Sequence, residues 1–276
     1  MPFFIGKRGE NVAVDFYQAL TRRQPVSDWL YQARDLTCLR VNSGWQLVFA
    51  CDSLGGIGEK PLDSAQATAE TVGHFSLRVP LMEVIATGAR PFLIIDTLSV
   101  EAGAYGRAIL TGIRRLAAEV GLVDDVHFNG SMEKNLIPLQ TGVGVTVVGM
   151  VDDAHIRIGT ATSGDAILLV GKPKSAPMHE VWIGDPEMVS LQEVEWLRQQ
   201  DGVHDIVPVG SGGVAEEARQ LAEFAHLSLS MKEEHPEDTV SGGPNTSVLM
   251  ACREDVVADI QKKLRSPWRE VGRLLG

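Results

Sequence analysis

The chain has 276 residues, is 44% hydrophobic with Gly 28 and Pro 13, and carries a formal net charge of −11, a balance that predicts folded domains with substantial cores. The acidic excess speaks against a general polyanion binder, so no nucleic-acid partner is expected, and no apolar run reaches the ~18 residues that would make a membrane partner. Cys38, Cys51 and Cys252 are scattered without C-x-x-C spacing, which argues against a zinc site and a disulfide framework; with no apolar leader in MPFFIGKRGENVAVDF, a cytoplasmic location is expected.

Short helices are predicted over Asp15–Leu20 and Ser27–Gln32. Thr37–Val41 and the apolar run Leu47–Ala50 then read as two strands of a hairpin around Asn42–Ser43–Gly44. The second strand discharges into Asp52 and a turn built on Gly55, Gly56 and Gly58, followed by Lys60 and Asp63. Such glycines let backbone N–H groups approach a phosphate, a lysine supplies a point charge, and carboxylates hold the accompanying magnesium; the alternative is an ordinary loop after a strand. Asp63–Ser64 predict the start of a helix over Ala65–Val72, and Val79–Pro80 the start of a second over Leu81–Thr87, stopped by Gly88. Glu83 sits in that second helix among apolar and small neighbours, the alternative reading being a solvated helix face.

Pro91–Ser99 reads as a strand, and Ile109, Ile113, Leu116 and Val120 give Ala104–Val120 a helical apolar stripe. Val126–Phe128 is strand-like and opens into a polar loop, Asn129–Asn135, before a central strand over Thr141–Val151. Beyond it the pattern predicts a strand ending at Gly171, a helix over Ser190–Gln200, a strand over Asp205–Val209, a glycine turn at Gly210–Gly213, a helix over Val214–Leu227, a strand over Ser247–Ala251 and a helix over Glu254–Leu264. The order predicts an α+β protein with an amino-terminal domain over 1–153 and a carboxy-terminal α+β domain over 154–276.

No P-loop, kinase H-R-D or D-F-G, or G-x-S-x-G motif is present. Gly210-Ser211-Gly212-Gly213-Val214-Ala215 fits G-x-G-x-x-A, but too little α/β sequence follows for a doubly wound sheet, leaving a substrate-anion turn or a simple tight turn as equal readings. What remains is a recurring acid beside glycine or small residues, in Asp35, Asp52, Glu83 and Glu133, a donor set suited to Mg²⁺ held together with phosphate oxygens and water.

CDSLGGIGEKPLD, RVPLMEVIATGARP and FNGSMEKN followed by QTGVGVTVVG together resemble segments of the aminoimidazole ribonucleotide (AIR) synthetase superfamily, which includes thiamine-monophosphate kinase and selenophosphate synthetase. The likeness runs loosely from Asp35 to Leu264 and is most specific from Cys51 to Met150. It implies a homodimer in which amino-terminal sheets with helices form a dimeric barrel, ATP and Mg²⁺ bound by the amino-terminal domain, and a carboxy-terminal domain completing a small-molecule substrate site. Carried onto this chain, it implies metal binding by Asp35, Asp52, Glu83 and Glu133, a catalytic role for Asp52 and Lys60, and nucleotide binding by Gly56, Gly58, Lys60, Asp63, Gly130, Ser131 and Asn135. Ser211, Gly212, Gly213, Gly242 and Gly243 match the carboxy-terminal substrate turns in type. Arg34–Asp35 and Met82–Glu83 replace the paired Asp and the Ser-Asp of thiamine-monophosphate kinases, and the variant set looks more like the α-ribazole kinase branch of cobalamin salvage. The expected activity is an ATP- and Mg²⁺-dependent phosphotransfer to a ribose hydroxyl; the alternatives are a thiamine-monophosphate kinase-like enzyme or other synthetase of the superfamily, and a non-catalytic nucleotide-binding dimer.

Overall fold

The computed structural model describes residues 12–42, 44–233 and 235–276. Ser43 of the expected Asn42–Ser43–Gly44 turn lies outside them. Helix α1 (Val12–Thr21) precedes a hairpin of β1 (Leu30–Ala33) and β2 (Leu36–Asn42), and β3 (Trp45–Gly55) follows. The short strands β4 (Ile57–Gly58) and β5 (Ala65–Gln66) lead to α2 (Ala69–Ala86), β6 (Arg90–Glu101), α3 (Ala104–Ala118), β7 (Phe128–Glu133) and β8 (Gly142–Asp152). The remainder comprises β9 (Ala166–Val170), α4 (Leu191–Arg198), β10 (Val203–Pro208), α5 (Gly213–Phe224), β11 (Ser228–Met231), β12 (Val248–Cys252), α6 (Glu254–Gln261) and β13 (Trp268–Leu275).

The architecture is α+β. A six-stranded sheet runs β1-β2-β3-β8-β6-β7, antiparallel except for the β6–β7 pair, and a five-stranded antiparallel sheet runs β10-β12-β9-β13-β11. TGVGVTVVGMV is β8, paired on both sides as its small and β-branched composition predicts. Burial alternates along β3, where Val48 and Ala50 face the helices while Leu47 and Phe49 stay partly exposed on the other face. Helices α2 and α3 cover the first face, and they cross so closely that a Cβ on Gly73 would lie 1.9 Å from Ile109 O and one on Gly112 2.1 Å from Glu70 O.

Four local expectations are corrected. Ser27–Gln32 is not a helix: Leu30–Ala33 pairs with β2 around a two-residue turn, Arg34–Asp35, in which Arg34 takes φ 54°. Cross-strand pairing there outweighs the Ser27–Asp28 start signal. The two helices expected over Ala65–Val72 and Leu81–Thr87 are one, capped by Thr68 and running through Pro80. Burial on nearly every side of α2 offsets the ~3 kcal/mol cost of an interior proline. The expected polar loop Asn129–Asn135 is largely the edge strand β7, parallel to β6, where Gly130 sits so close to Asp96 that a Cβ would meet its carboxyl at 2.3 Å. Strands β11 and β13 add to the second sheet where none was expected.

The sheets are joined through α2. One apolar cluster runs from Val48 and Leu81 to Leu168 and Met250, while a second, with Leu169, Val214 and Leu221, lies between the five-stranded sheet and α5. Polar ties cross the same boundary: Arg34 pairs with Asp205 at 2.5 Å, and Arg78 donates to the carbonyls of Val189 and Asn245 at 2.5 and 3.0 Å.

Candidate active site

A cleft of about 490 Å³ opens where the end of β3, the face of α2 and the carboxy-terminal turns meet. The β2–β3 register sets Leu36 opposite Ala50, so Asp35 in the preceding turn falls beside the end of β3 that carries Asp52. Both line the cleft, as does Glu83 from α2. The sequence condition for bringing Asp35 to Asp52, a suitable register, is therefore met.

Glu83 and Asp52 both feel the charge of Asp35. Burial, and then the charge of Asp35, push Glu83 up to about 8 against an opposing hydrogen bond from Asn245; burial also raises Asp52, with Asp35 adding to it. Glu217 on α5, absent from the sequence-based set, belongs to the same field: burial raises it to about 7 and Asp35 adds to the effect. Its α5 sequence, GVAEEARQ, carries no sign distinguishing it from a solvated acid. Asn245 was also missed; its amide donates to Glu83 Oε1 and to Val79 O, each at 3.3 Å. Among the described residues no three acids, histidines or cysteines form a group able to hold a metal alone. Hard carboxylate oxygens under mutual repulsion nonetheless fit Mg²⁺, which takes one or two carboxylates and completes its shell with water and phosphate.

Other sequence-selected residues fall elsewhere. Lys60 is buried and pairs with Glu101, its ammonium 5.2 Å from the centre of the Tyr105 ring, outside the cleft. Asp63 uses its oxygens inside the loop, accepting from Lys60 N at 2.8 Å and from Thr141 N and Oγ1 at 2.8 and 2.7 Å. Burial works to raise Asp63, but those hydrogen bonds outweigh it and leave the carboxyl below its ordinary range. Gly56 and Gly58 serve packing: a Cβ on Gly58, at φ +153°, would lie 2.2 Å from the Tyr105 hydroxyl. Gly130 and Ser131 lie in β7, and Glu133 accepts the amides of Asn135 and Leu136 at 2.6 and 3.4 Å, closing its own turn; none of these five lines the cleft.

The carboxy-terminal turns divide in the same way. Ser211 and Gly243 line the cleft. Gly212, Gly213 and Gly242 do not: the Gly210 carbonyl accepts the amides of Gly213 at 3.3 Å and Gly242 at 2.9 Å, binding the two turns side by side. A Cβ on Gly242 would meet Val209 O at 2.4 Å, which explains that glycine by close backbone packing.

Residues 33–151 match a family model described as AIR synthase related protein, N-terminal domain. No curated protein matches the chain by sequence. Among solved structures, thiamine-monophosphate kinase from Stenotrophomonas maltophilia K279a is similar with TM-score 0.61 and 17% identity over 97% of this chain and 94% of that one. AaThiL complexed with AMPPCP and TMP gives TM-score 0.64 and 16% identity over 99% and 94% of the two chains. T. maritima PurL complexed with ADP gives TM-score 0.65 and 16% identity, covering 97% of this chain and 46% of that chain. At these identities the likeness is one of fold.

Proposed function

Since this chain belongs to the AIR synthase-related superfamily, we propose that it is an ATP-dependent phosphotransferase or synthetase whose chemistry takes place in the acidic cleft. The observation that carries this reading is the convergence of Asp35, Asp52 and Glu83, from a turn, a strand end and a helix far apart in sequence, on one cleft rimmed by Ser211, Gly243 and Asn245. Structures of similar fold hold AMPPCP or ADP, which supports a nucleoside triphosphate as donor.

In this reading Asp35, Asp52 and Glu83 hold Mg²⁺, which when bound neutralises phosphate charge and aligns the transferred group. Asn245 fixes the Glu83 carboxylate through its amide. Ser211 and the Gly243 turn face the acceptor substrate. Phosphoryl transfer needs positioning and charge neutralisation more than a covalent nucleophile, and these residues suit that demand. The acceptor is a small-molecule hydroxyl, with the ribose hydroxyl of a nucleoside such as α-ribazole as the specific candidate. Two domains, 1–153 and 154–276, and a homodimer formed through the uncovered face of the six-stranded sheet belong to the same proposal. Leu47, Phe49, Leu93 and Ile95 leave that face apolar and partly exposed.

The test is ADP release from Mg–ATP across a panel of nucleosides, α-ribazole and thiamine monophosphate, with Asp52→Asn and Glu83→Gln beside the wild type. Turnover with one acceptor, lowered by orders of magnitude in both variants, is the expected result. No ATP binding and no turnover with any acceptor would sink the proposal, and near-normal turnover in either variant would remove that residue from the site.

A further inference from the structure

The acidic cleft is lined on α2 from Thr71 to Glu83; a second and larger cavity, about 770 Å³, lies past the C-terminal end of that helix and shares no lining residue with the first. Its wall brings Arg90 at the start of β6, Arg157 from the segment after β8 and Arg198 at the end of α4 to one cavity. In a chain of net charge −11 such a gathering of guanidiniums is out of keeping with the bulk of the surface.

Among the described residues none of these three arginines takes part in an ion pair. The buried Nε atoms of Arg157 and Arg198 also lack a hydrogen-bond partner. Arg198 is held in place by donating to Gly88 O at 2.8 Å, and Gly88, at φ +90°, leaves room for the segment bearing Arg157: a Cβ there would lie 2.4 Å from His155 O. Burial lowers Arg198 below the ordinary guanidinium range, and Arg90 and Arg157 press it further down against the opposing charge of Glu195. Nearby acids form no ion pair with the three: Glu195 acts on Arg198 only through space, Asp152 pairs with His155 at 2.7 Å and Asp201 is exposed beside Arg253 at 3.9 Å. Three guanidiniums gathered at an open cavity without an ion-pair partner repel one another, so the cavity is suited to an anion arriving from solution. The rim adds an aromatic surface, with Trp45 44% exposed.

We propose that this cavity binds a small organic phosphate, its oxyanion gripped by Arg90, Arg157 and Arg198 and its flat ring laid against Trp45. Guanidinium forks match phosphate oxygens two at a time, and an indole accepts a planar group at little entropic cost. The site joins Trp45 and Arg90 of the amino-terminal part to Arg157 and the Arg198–His204 segment of the carboxy-terminal part, so its ligand bridges the same two parts that the acidic cleft joins at the other place.

The test titrates the metal-free protein, with chelator present, with AMP, inorganic phosphate and pyrophosphate, following calorimetry and tryptophan fluorescence. The expected result is saturable binding weakened by salt, with AMP preferred over phosphate. Arg90→Gln and Arg157→Gln should each weaken AMP binding about tenfold or more, the scale of one charge-assisted hydrogen bond, while Glu83→Gln in the other cleft leaves it unchanged. Trp45→Ala should erase the preference for AMP. Because Arg90 is exposed, Arg90→Gln is expected to keep its melting temperature, so lost binding there reads the site and not the fold. Absence of saturable binding, or binding that Glu83→Gln weakens and the arginine variants do not, would overturn the proposal; equal binding of AMP and phosphate would overturn the ring contact. None of these outcomes depends on whether the acidic cleft transfers phosphate.

Discussion

Asn245 donates its side-chain amide to Glu83 Oε1 at 3.3 Å, so an acid on the central helix of one half is positioned by a turn of the other. The same residue's carbonyl accepts from Arg78 at 3.0 Å, one and a half turns earlier on α2. The helix and the turn are thus held together at two points, and the cleft lies along that seam.

Glu83 carries a pH signature. Its carboxyl is raised from 4.5 to about 8, so between these values the folded protein keeps a proton that the unfolded chain has released. Stability of the ligand-free protein therefore falls as pH rises through that window. We expect the melting temperature to decline from about pH 5 to about pH 8 in the wild type and to decline less in Glu83→Gln, with Mg–ATP flattening the wild-type curve. Equal slopes for wild type and variant would show that Glu83 titrates normally.

Arg34 and Asp205 form a buried pair, with side chains 6% and 0% exposed, and Asp205 also accepts Gly159 N at 2.8 Å. Removing one partner strands the other charge. Asp205→Ala is expected to cost about 3–5 kcal/mol, read from urea denaturation. The double variant Arg34→Met, Asp205→Leu should recover a large part of that loss, and a double variant as unstable as the single one would contradict the charge argument.

The uncovered sheet face supplies the third expectation. Phe49 lies opposite Val148 and Cys51 opposite Thr146 across β3 and β8, and no element of this chain covers the partly exposed Leu47, Phe49 and Ile95 among the described residues. Light scattering at micromolar concentration should give twice the chain mass. Phe49→Lys, which places a charge at the centre of that face, should give the monomer; a wild-type monomer would end the dimer proposal.

Much of the fold was legible because its local signals agree with its tertiary setting. The apolar run Leu47–Ala50 of β3 and the apolar stripe of α3 each point to an element that the core later demands. The failures have one cause. Pro80 reads as a boundary until the burial around α2 is known, and Asn129–Gly130–Ser131 reads as a turn until β6 is available to pair with it. The site divides along the same line. Asp52 and Glu83 are marked by glycine and small neighbours and Asp35 by its place before a strand, whereas Asn245 has no local mark and enters the cleft only by packing, and Glu217 reaches the charge of Asp35 the same way.

By itself the sequence determined the α+β class, the central β8 strand and three acids of the cleft, because side-chain period and glycine placement are properties of neighbours along the chain. Tertiary structure alone decided that Lys60 pairs with Glu101 and not with the cleft, that Asp63 spends its oxygens on Thr141 and Lys60, and that Arg90, Arg157 and Arg198 meet at one cavity. Charge acts across space, and residues 108 positions apart become neighbours only when α2, α4 and β6 are packed.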